Sequence, residues 1–325
     1  MTASPLATSL LAARLRTWVL RVFPRGQSTI DYDTPPGDPG LFGPDSATWR
    51  IHADFPGMLS GGLCALMLQT LHPRALAGVW DHSNFRTDLV GRLRRTTAFV
   101  AGTSYAGTDE ANRLIARVAG IHTRVRGALD DGTPYAADEP ALLTWVHVTE
   151  AYGFLQGYRR YSPDALPPGA ADRYYDEARR IAEALGARDV PASEAEVATY
   201  FDALRPQLRV DARSRDVLDV LARIRLPVPL PGVSRTLFLG AGAALLPDWA
   251  HAMLPRSAWQ RAGDPVAARV MQGLGPVFRS ALGDGVAPRA CRRVGVSPDC
   301  LHRWPDVADA ASRGAEARDT GASTR

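Results

Sequence analysis

Hydrophobic positions recur at intervals of three and four residues along most of the chain, a spacing that puts apolar side chains on one face of an α-helix. No stretch alternates apolar and polar residues between hairpin turns, so the pattern does not indicate strands. The sequence therefore predicts an all-α protein with no substantial sheet. The predicted helices lie near residues 6–22, 56–71, 109–129, 139–160, 170–186, 193–206 and 213–224.

Several residues mark where these helices should begin and end. Pro140 occupies a predicted first helical position, where its missing N–H costs nothing. Ser193, followed by Glu196, has the spacing of a capping box. Glycines at 62, 127 and 186 are expected where helices stop or pack closely against each other.

Two stretches interrupt the helical pattern and suggest the organisation of the chain. Residues 25–48 are rich in Gly, Pro and Asp and are expected to form a wrapping loop, and residues 226–233 (LPVPLPGV) form a proline-rich connection. Beyond about residue 305 the composition is typical of disorder. We therefore predict an N-terminal helix and loop over 1–40, a helical core over 41–225, the connection and further helices of the same domain over 226–304, and a disordered tail over 305–325.

Composition excludes several chemistries. All 38 basic residues counted as Lys or Arg are arginine, so Schiff-base, pyridoxal-phosphate and P-loop lysines are impossible. With 34 acidic residues the net charge is only +4, and the arginines are spread among the acids without interleaved aromatics. This distribution argues against nucleic acid as a partner. HExxH, CxxCH and GxSxG motifs are absent, and the GxG at Gly240–Gly242 lacks the context of a dinucleotide site.

Membrane and compartment signals are weak. The most apolar stretches, Met58–Leu71 and Leu237–Leu246, are shorter than the roughly 20 residues that cross a bilayer, so we predict no transmembrane helix. Leu6–Pro24 mixes apolar residues with arginines and lacks the order of a signal peptide, so it is expected to be an amphipathic helix that could contact a membrane surface. Cys291 and Cys300 could pair, but three cysteines make no disulfide framework. We expect reduced thiols and a cytoplasmic protein.

Two histidines are placed on the apolar faces of predicted helices. His122 lies between Val118 and Val125 on one face, where it is either a hydrogen-bonded core residue or a ligand. A single histidine is poor for zinc but sufficient for haem iron, because the porphyrin supplies the other four ligands. His147 has a similar setting: it could be a core residue bonded to Glu150, a second pocket residue, or the alternative iron ligand.

A basic segment at GRLRRTT offers a further candidate. Arg92 and Thr96 are four residues apart, so a helix would place both on one face, followed by Phe99. An arginine and a hydroxyl beside an apolar stripe suit an anionic or oxygen-bearing ligand. The alternative is a solvated arginine cluster, which is common in so arginine-rich a chain.

The order of the motifs LFGPDSATWRIHAD, LQTLHP, GVWDHSNF, GRLRRT, IHTRVRG and YAADEPALLTWVH resembles the haem oxygenases that include MpaB-type oxygenases and the rubber-cleaving latex-clearing proteins. The resemblance is strongest over residues 41–160 and continues more weakly to about residue 285. It implies a globin-like multi-helix bundle around a haem b pocket.

The resemblance also implies roles for particular residues. His122 would be the axial iron ligand, and Arg92 and Thr96 match the family's arginine and threonine near the haem. Arg95 stands where rubber-cleaving members have lysine, and the acidic residue that those enzymes use as a base has no counterpart in LHPRALAGVWDHS. Guanidinium stays charged, so Arg95 cannot replace a lysine that exchanges a proton.

These implications define the expected function. We expect a haem b-dependent oxygenase that uses dioxygen and acts on a hydrophobic, unsaturated small molecule. Rubber cannot enter a cell, so an intracellular member needs a smaller substrate. The alternative is a non-catalytic helical protein that binds haem or a lipid. Candidate walls of the pocket are Met58–Leu71, Phe99 and Trp145.

Overall fold

The computed structural model describes residues 13, 16–18, 30–224 and 230–304. Its helices are α1 (Ala47–Ala53), α2 (Phe55–Gln69), α3 (Pro73–His82), α4 (Leu89–Tyr105), α5 (Thr108–His122), α6 (Pro140–Tyr161), α7 (Ala170–Leu185), α8 (Glu194–Leu204), α9 (Ala212–Arg223), α10 (Pro231–Ala243), α11 (Asp248–Met253), α12 (Ala258–Ala281) and α13 (Val286–Arg293). Short 3₁₀ helices lie after α8, at Arg205–Gln207, and after α13, at Pro298–His302. The predicted all-α class is confirmed.

The largest core forms where α2 crosses α6. Added Cβ atoms at Gly61 and Gly153 would lie 2.4 Å from the carbonyl oxygen of the opposite glycine, so the two backbones touch directly. A similar approach joins Gly57 to Gly157. Only glycine allows helices to come this close, and the contact fixes how α6 lies in the core.

The end signals read from the sequence are mostly confirmed. Pro140 begins α6, and Gly186 ends α7 in the left-handed conformation with φ of 108°. The Ser193 side chain accepts from the Glu196 amide, but the Glu196 carboxylate accepts from Ala192 N rather than from the cap residue itself. Only half of the predicted capping box therefore forms.

One predicted helix is too long. α5 ends at His122, whereas the periodicity suggested a helix as far as residue 129. Gly127 lies instead in strand β1 (Arg126–Ala128), which pairs antiparallel with β2 (Pro134–Ala136) so that Gly127 is opposite Tyr135. The Asp130–Thr133 turn region favours a hairpin because Gly132 takes a positive φ of 85°.

Of the loop predicted over 25–48, residues 30–46 are a loop held by a buried arginine, residues 47–48 already belong to α1, and residues 25–29 lie outside the described residues. Arg293, in the last turn of α13, donates through Nη1 to Tyr32 O at 2.8 Å and to Tyr105 O at 2.7 Å, and through Nε to Asp38 O at 2.8 Å. The guanidinium thus joins the loop, the end of α4 and α13. The boundary predicted at residue 40, between the N-terminal helix and loop and the helical core, remains a prediction.

Other predictions fall largely outside the described part of the chain. Of the helix predicted over 6–22, residues 13 and 16–18 are described, and they are helical. Residues 226–229 of the proline-rich connection and the tail 305–325 lie outside the described residues, and residues 231–233 already belong to α10. No single described helix is long and apolar enough to cross a membrane; the pair α1 and α2 reaches the threshold together but is bent by 92°.

Candidate functional site

A small cleft, with a cavity volume of about 40 Å³ and partly open to solvent, lies between α1, α4, α6 and α7. Its walls combine apolar and polar side chains. The residues that line it are Thr48, His52, Phe99, Val100, Thr103, His147, Glu150, Ala151, Phe154, Tyr174, Ala178 and Ile181. Of the walls expected from the sequence, Phe99 is present, whereas Trp145 packs in the core against Phe201.

On helix α4, the predicted residues Arg92 and Thr96 lie on the same helix face as some of the residues that line the cleft. Arg92 and Thr96 precede Phe99, Val100 and Thr103 at helical spacing, so one stripe of α4 runs from the basic segment into the cleft. Arg92 is largely enclosed, and Thr96 is exposed. Neither residue is itself part of the cleft lining.

The Arg92 guanidinium is unusual because it is enclosed without a partner. It makes no hydrogen bond or ion pair with any residue in the described ranges. Enclosure lowers its pKa, Arg95 lowers it further, and Glu150 acts in the opposite direction. An enclosed cation without a counter-ion is costly, so this arginine is suited to bind an anion.

Arg95 points to a different environment. Its side chain is 62 % exposed, lies 3.6 Å from the Asp88 carboxylate and donates to Asn84 Oδ1 at 3.2 Å. Asp88 is also the N-cap of α4, where its carboxylate accepts from Gly91 N. The structure therefore places Arg95 on the solvent flank of α4 and does not bring it to the cleft.

His122 is the last residue of α5. The two-residue connection Ala106–Gly107 leads directly from α4 into α5, and the two helices pack against each other, but His122 is not among the residues that line the cleft. Its Nδ1 is sealed from solvent and has no hydrogen-bond partner among the described residues, whereas its Nε2 has no such partner either but is open to solvent. Burial lowers the pKa of His122, and Asp138 acts against this. The ring is therefore a neutral imidazole at pH 7 with unused nitrogen atoms.

His147 and Glu150 lie one turn apart on α6 and both face the cleft. Burial lowers the pKa of His147 to about 4, so its imidazole is neutral. Burial raises the pKa of Glu150 to about 7, although Gln69 and Arg92 oppose the shift. The predicted hydrogen bond between His147 and Glu150 is not found. Sequence reasoning did not identify Glu150 as a site residue, although it is the only acidic residue in LLTWVHVTEAYGF.

His52, to which the sequence assigned no special role, organises the opposite wall. Its Nδ1 lies 2.7 Å from Ser104 Oγ and its Nε2 lies 2.9 Å from the Tyr174 hydroxyl. Ser104 donates its own proton to Val100 O at 2.6 Å, so it accepts from Nδ1–H, and Nε2 accepts from Tyr174. Burial, with a smaller effect of His147, lowers the pKa of His52 to about 3. His52 is thus a neutral residue that joins α1, α4 and α7.

Glu177 on α7 fixes the start of α1 and with it Thr48 and His52. Its carboxylate, on a residue only 7 % exposed, accepts from Thr48 N and Thr48 Oγ1 at 2.9 Å each and from Ala47 N at 3.2 Å. An acceptor at a helix N-terminus satisfies amides that have no partner inside the helix.

We expect Glu177→Ala to lower the free energy of unfolding by about 2–3 kcal/mol, because it leaves these buried donors unsatisfied. Urea unfolding followed by circular dichroism measures the loss. Glu183→Ala on the same helix is the matched control, since its ion pair with Arg179 is at the surface and contributes only about 0.5 kcal/mol. Equal effects of the two variants would contradict the role of Glu177.

The arrangement differs from a metal centre built from several side chains. Across residues 30–224 and 230–304, no group of three or more His, Cys, Asp or Glu side chains is placed to hold a metal ion. The sulfur atoms of Cys291 and Cys300 are 3.7 Å apart, and both cysteines are free thiols.

Comparison with known proteins gives one match. The family described as "ER-bound oxygenase mpaB/B'/Rubber oxygenase, catalytic domain" matches residues 49–280, a range that contains most of the cleft lining and the whole of α4, α5 and α6. No curated protein and no solved structure matches the chain. Because the match covers well over half of the 325 residues, the chain belongs to the mpaB/rubber oxygenase family and is an oxygenase that carries its catalytic domain.

Proposed function

We propose that this oxygenase depends on haem b, with His122 as the axial iron ligand, and that it acts on a hydrophobic, unsaturated small molecule. One observation carries the proposal: the neutral His122 imidazole has a ring nitrogen, Nδ1, that is sealed from solvent and has no hydrogen-bond partner among the described residues. A buried imidazole normally has its nitrogens bonded, so unused ones favour a ligand.

The neighbouring residues fit haem in three respects. Haem needs only one protein ligand for a five-coordinate iron, and one imidazole supplies it. Haem carries propionates, and the enclosed, unpaired Arg92 is suited to bind a carboxylate. Haem is flat and apolar, and Phe99, Val100 and Phe154 offer apolar surface in the cleft. His147 is the alternative ligand, because its ring also lacks a partner.

When bound, haem supplies the iron chemistry that activates dioxygen. The protein residues position and enclose the reactants. Arg92 would hold a propionate or donate to a polar oxygen, and the exposed Thr96 hydroxyl, one turn further along α4, would add a hydrogen bond. Arg95 stays charged and lies on the solvent flank of α4, so its proposed part is an electrostatic one from outside the cleft, without contact with the reactants and without proton exchange.

The substrate is proposed to be hydrophobic because the cleft walls are mainly apolar. Phe99, Val100, Phe154 and Ile181 exclude water from the space into which the polar groups project. A small molecule is favoured over rubber, since Arg95 replaces the lysine of the rubber-cleaving members and their acidic residue has no counterpart. Reduced cysteines agree with a cytoplasmic enzyme that meets a diffusible substrate.

An absorption spectrum tests the proposal directly. Protein purified from haem-replete expression should show a Soret band that shifts after dithionite and again after carbon monoxide. Oxygen consumption on unsaturated lipid-like or terpenoid molecules then separates an oxygenase from a haem carrier. If the folded protein shows no Soret band, haem dependence is wrong.

A further inference from the structure

We propose that His147 and Glu150 form a subsite that binds the terminal hydroxyl group of an otherwise apolar substrate. The inference rests on the proposed function only in taking the cleft as the substrate pocket. It follows from a comparison of the polar side chains in the cleft: four of them already have hydrogen-bond partners within the protein, whereas His147 and Glu150 keep unused donors or acceptors.

Most polar side chains in the cleft lining already form hydrogen bonds with other groups of the protein. Those with partners of their own are Thr48, His52, Thr103 and Tyr174. His52 uses both ring nitrogens, as described above, and Tyr174 is one of its two partners. Thr103 donates to the backbone oxygen of Phe99 at 2.9 Å. None of these four side chains needs a ligand to satisfy it.

His147 and Glu150 are different. The His147 imidazole makes no hydrogen bond within the described chain. Gln69 contributes a hydrogen bond to the Glu150 carboxyl and also donates to Thr149 Oγ1 at 3.1 Å and to Val146 O at 3.4 Å, so the carboxyl keeps further lone pairs for a ligand. Arg92 influences Glu150 without reaching ion-pair distance. Two neighbouring polar groups therefore face a mainly apolar cleft with hydrogen-bonding capacity that the protein leaves unused and that a ligand entering the cleft can reach.

A hydroxyl group complements this pair better than other small polar groups. Neutral imidazole has one donor and one acceptor, and a carboxyl group offers acceptors in both protonation states. A hydroxyl can accept from the imidazole N–H and donate to the Glu150 oxygen at the same time. A hydrocarbon would leave both groups unsatisfied, and a carboxylate would meet the negative charge of ionised Glu150.

Charge around Glu150 gives the subsite a defined pH response. Arg92 on α4 remains cationic. His147 on α6 and His52 on α1 are neutral above about pH 5. Burial raises the pKa of Tyr174 on α7 well above 10. Glu150, with a pKa raised to about 7, is the group facing the cleft that titrates between pH 6 and 8. A carboxylate ligand should therefore bind better at pH 6, where Glu150 is protonated, than at pH 8.

The test measures binding to the purified, haem-loaded protein by titration calorimetry. A medium-chain 1-alkanol, the 1-alkene of equal chain length and the matching carboxylate serve as probes. We expect the alkanol to bind about tenfold more tightly than the alkene, a factor that corresponds to one net hydrogen bond. Glu150→Leu and His147→Phe should each reduce this preference. Glu150→Gln should keep it while removing the pH dependence of carboxylate binding. Phe154→Leu is the control, since it should weaken all three probes alike.

The outcomes separate the subsite from the proposed function. A Soret band with equal affinities for alkanol and alkene, or a preference that survives both Glu150→Leu and His147→Phe, overturns the subsite and leaves haem dependence intact. Loss of the Soret band in His147→Phe also overturns it, because His147 is then the iron ligand. An alkanol preference in folded protein without any Soret band supports the subsite and contradicts haem dependence.

Discussion

Replacing His122 with alanine is expected to abolish the Soret band of the purified protein. The reason is that axial ligation depends on a single imidazole, and alanine offers no lone pair to iron. The His122 ring makes no hydrogen bond with the rest of the described structure, so its loss should leave the fold nearly unchanged. Haem content per protein, measured as the pyridine haemochrome, should fall to a few per cent or less of wild type, while the circular dichroism spectrum stays helical.

Two further variants make this result specific. His302→Ala removes an exposed histidine that pairs with Asp164 at 3.1 Å, and it should leave haem content unchanged. His147→Ala tests the alternative ligand. If His122→Ala retains haem and His147→Ala loses it, the axial assignment moves to α6, and the role of Arg92 as a partner of the propionate must be tested separately.

The sequence predicts the fold class well because the helices bury one face each. The three- and four-residue periodicity located α2, α6, α7, α8 and α9 within a few residues, and it found the start of α5 but not its end. It missed the hairpin at Arg126–Ala136, since three-residue strands are too short to show alternation. The helices α3, α4 and α10 to α13 were not delimited, and Gly, Pro and Arg within them weaken the apolar stripe that reveals a helix.

The candidate site could be predicted only in part. Spacing alone correctly placed Arg92 and Thr96 on one face of a helix, and it put His122 on the buried side of another. Spacing could not show that Arg95 turns outward to Asp88, because that depends on the cap of α4. Nor could it show the environment of Glu150, which is set by side chains from α2, α4 and α6 together.

A charged residue within an otherwise apolar helix is nevertheless a readable signal. Glu150 stands one turn after His147, in a helix whose buried residues extend from Leu142 to Tyr161. An acid in such a position must be paired, protonated or used by a ligand. In this chain burial favours the protonated form near neutral pH, and the acidic group of the cleft comes from α6.

Because α6 presents both His147 and Glu150, the site depends on how α6 packs against α2. Gly157→Ala is expected to lower the free energy of unfolding by about 3 kcal/mol, since overpacking a tight contact forces backbone shifts. The new Cβ would lie 2.1 Å from Gly57 O, and neither backbone is free to move alone. Urea unfolding measures the change, and haem content should fall with the folded fraction.

A second glycine provides the matched control for this effect. Gly263 lies inside α12, where an added Cβ meets nothing within 4 Å. Gly263→Ala should therefore raise the free energy of unfolding by about 0.5–1 kcal/mol, because alanine favours the helix and restricts the unfolded chain. Opposite signs for two identical substitutions would show that the cost at Gly157 comes from the crossing with α2. A stabilised Gly157→Ala protein would mean that α2 and α6 can separate without loss, and α6 would then not be held rigidly enough to fix His147 and Glu150 in the cleft.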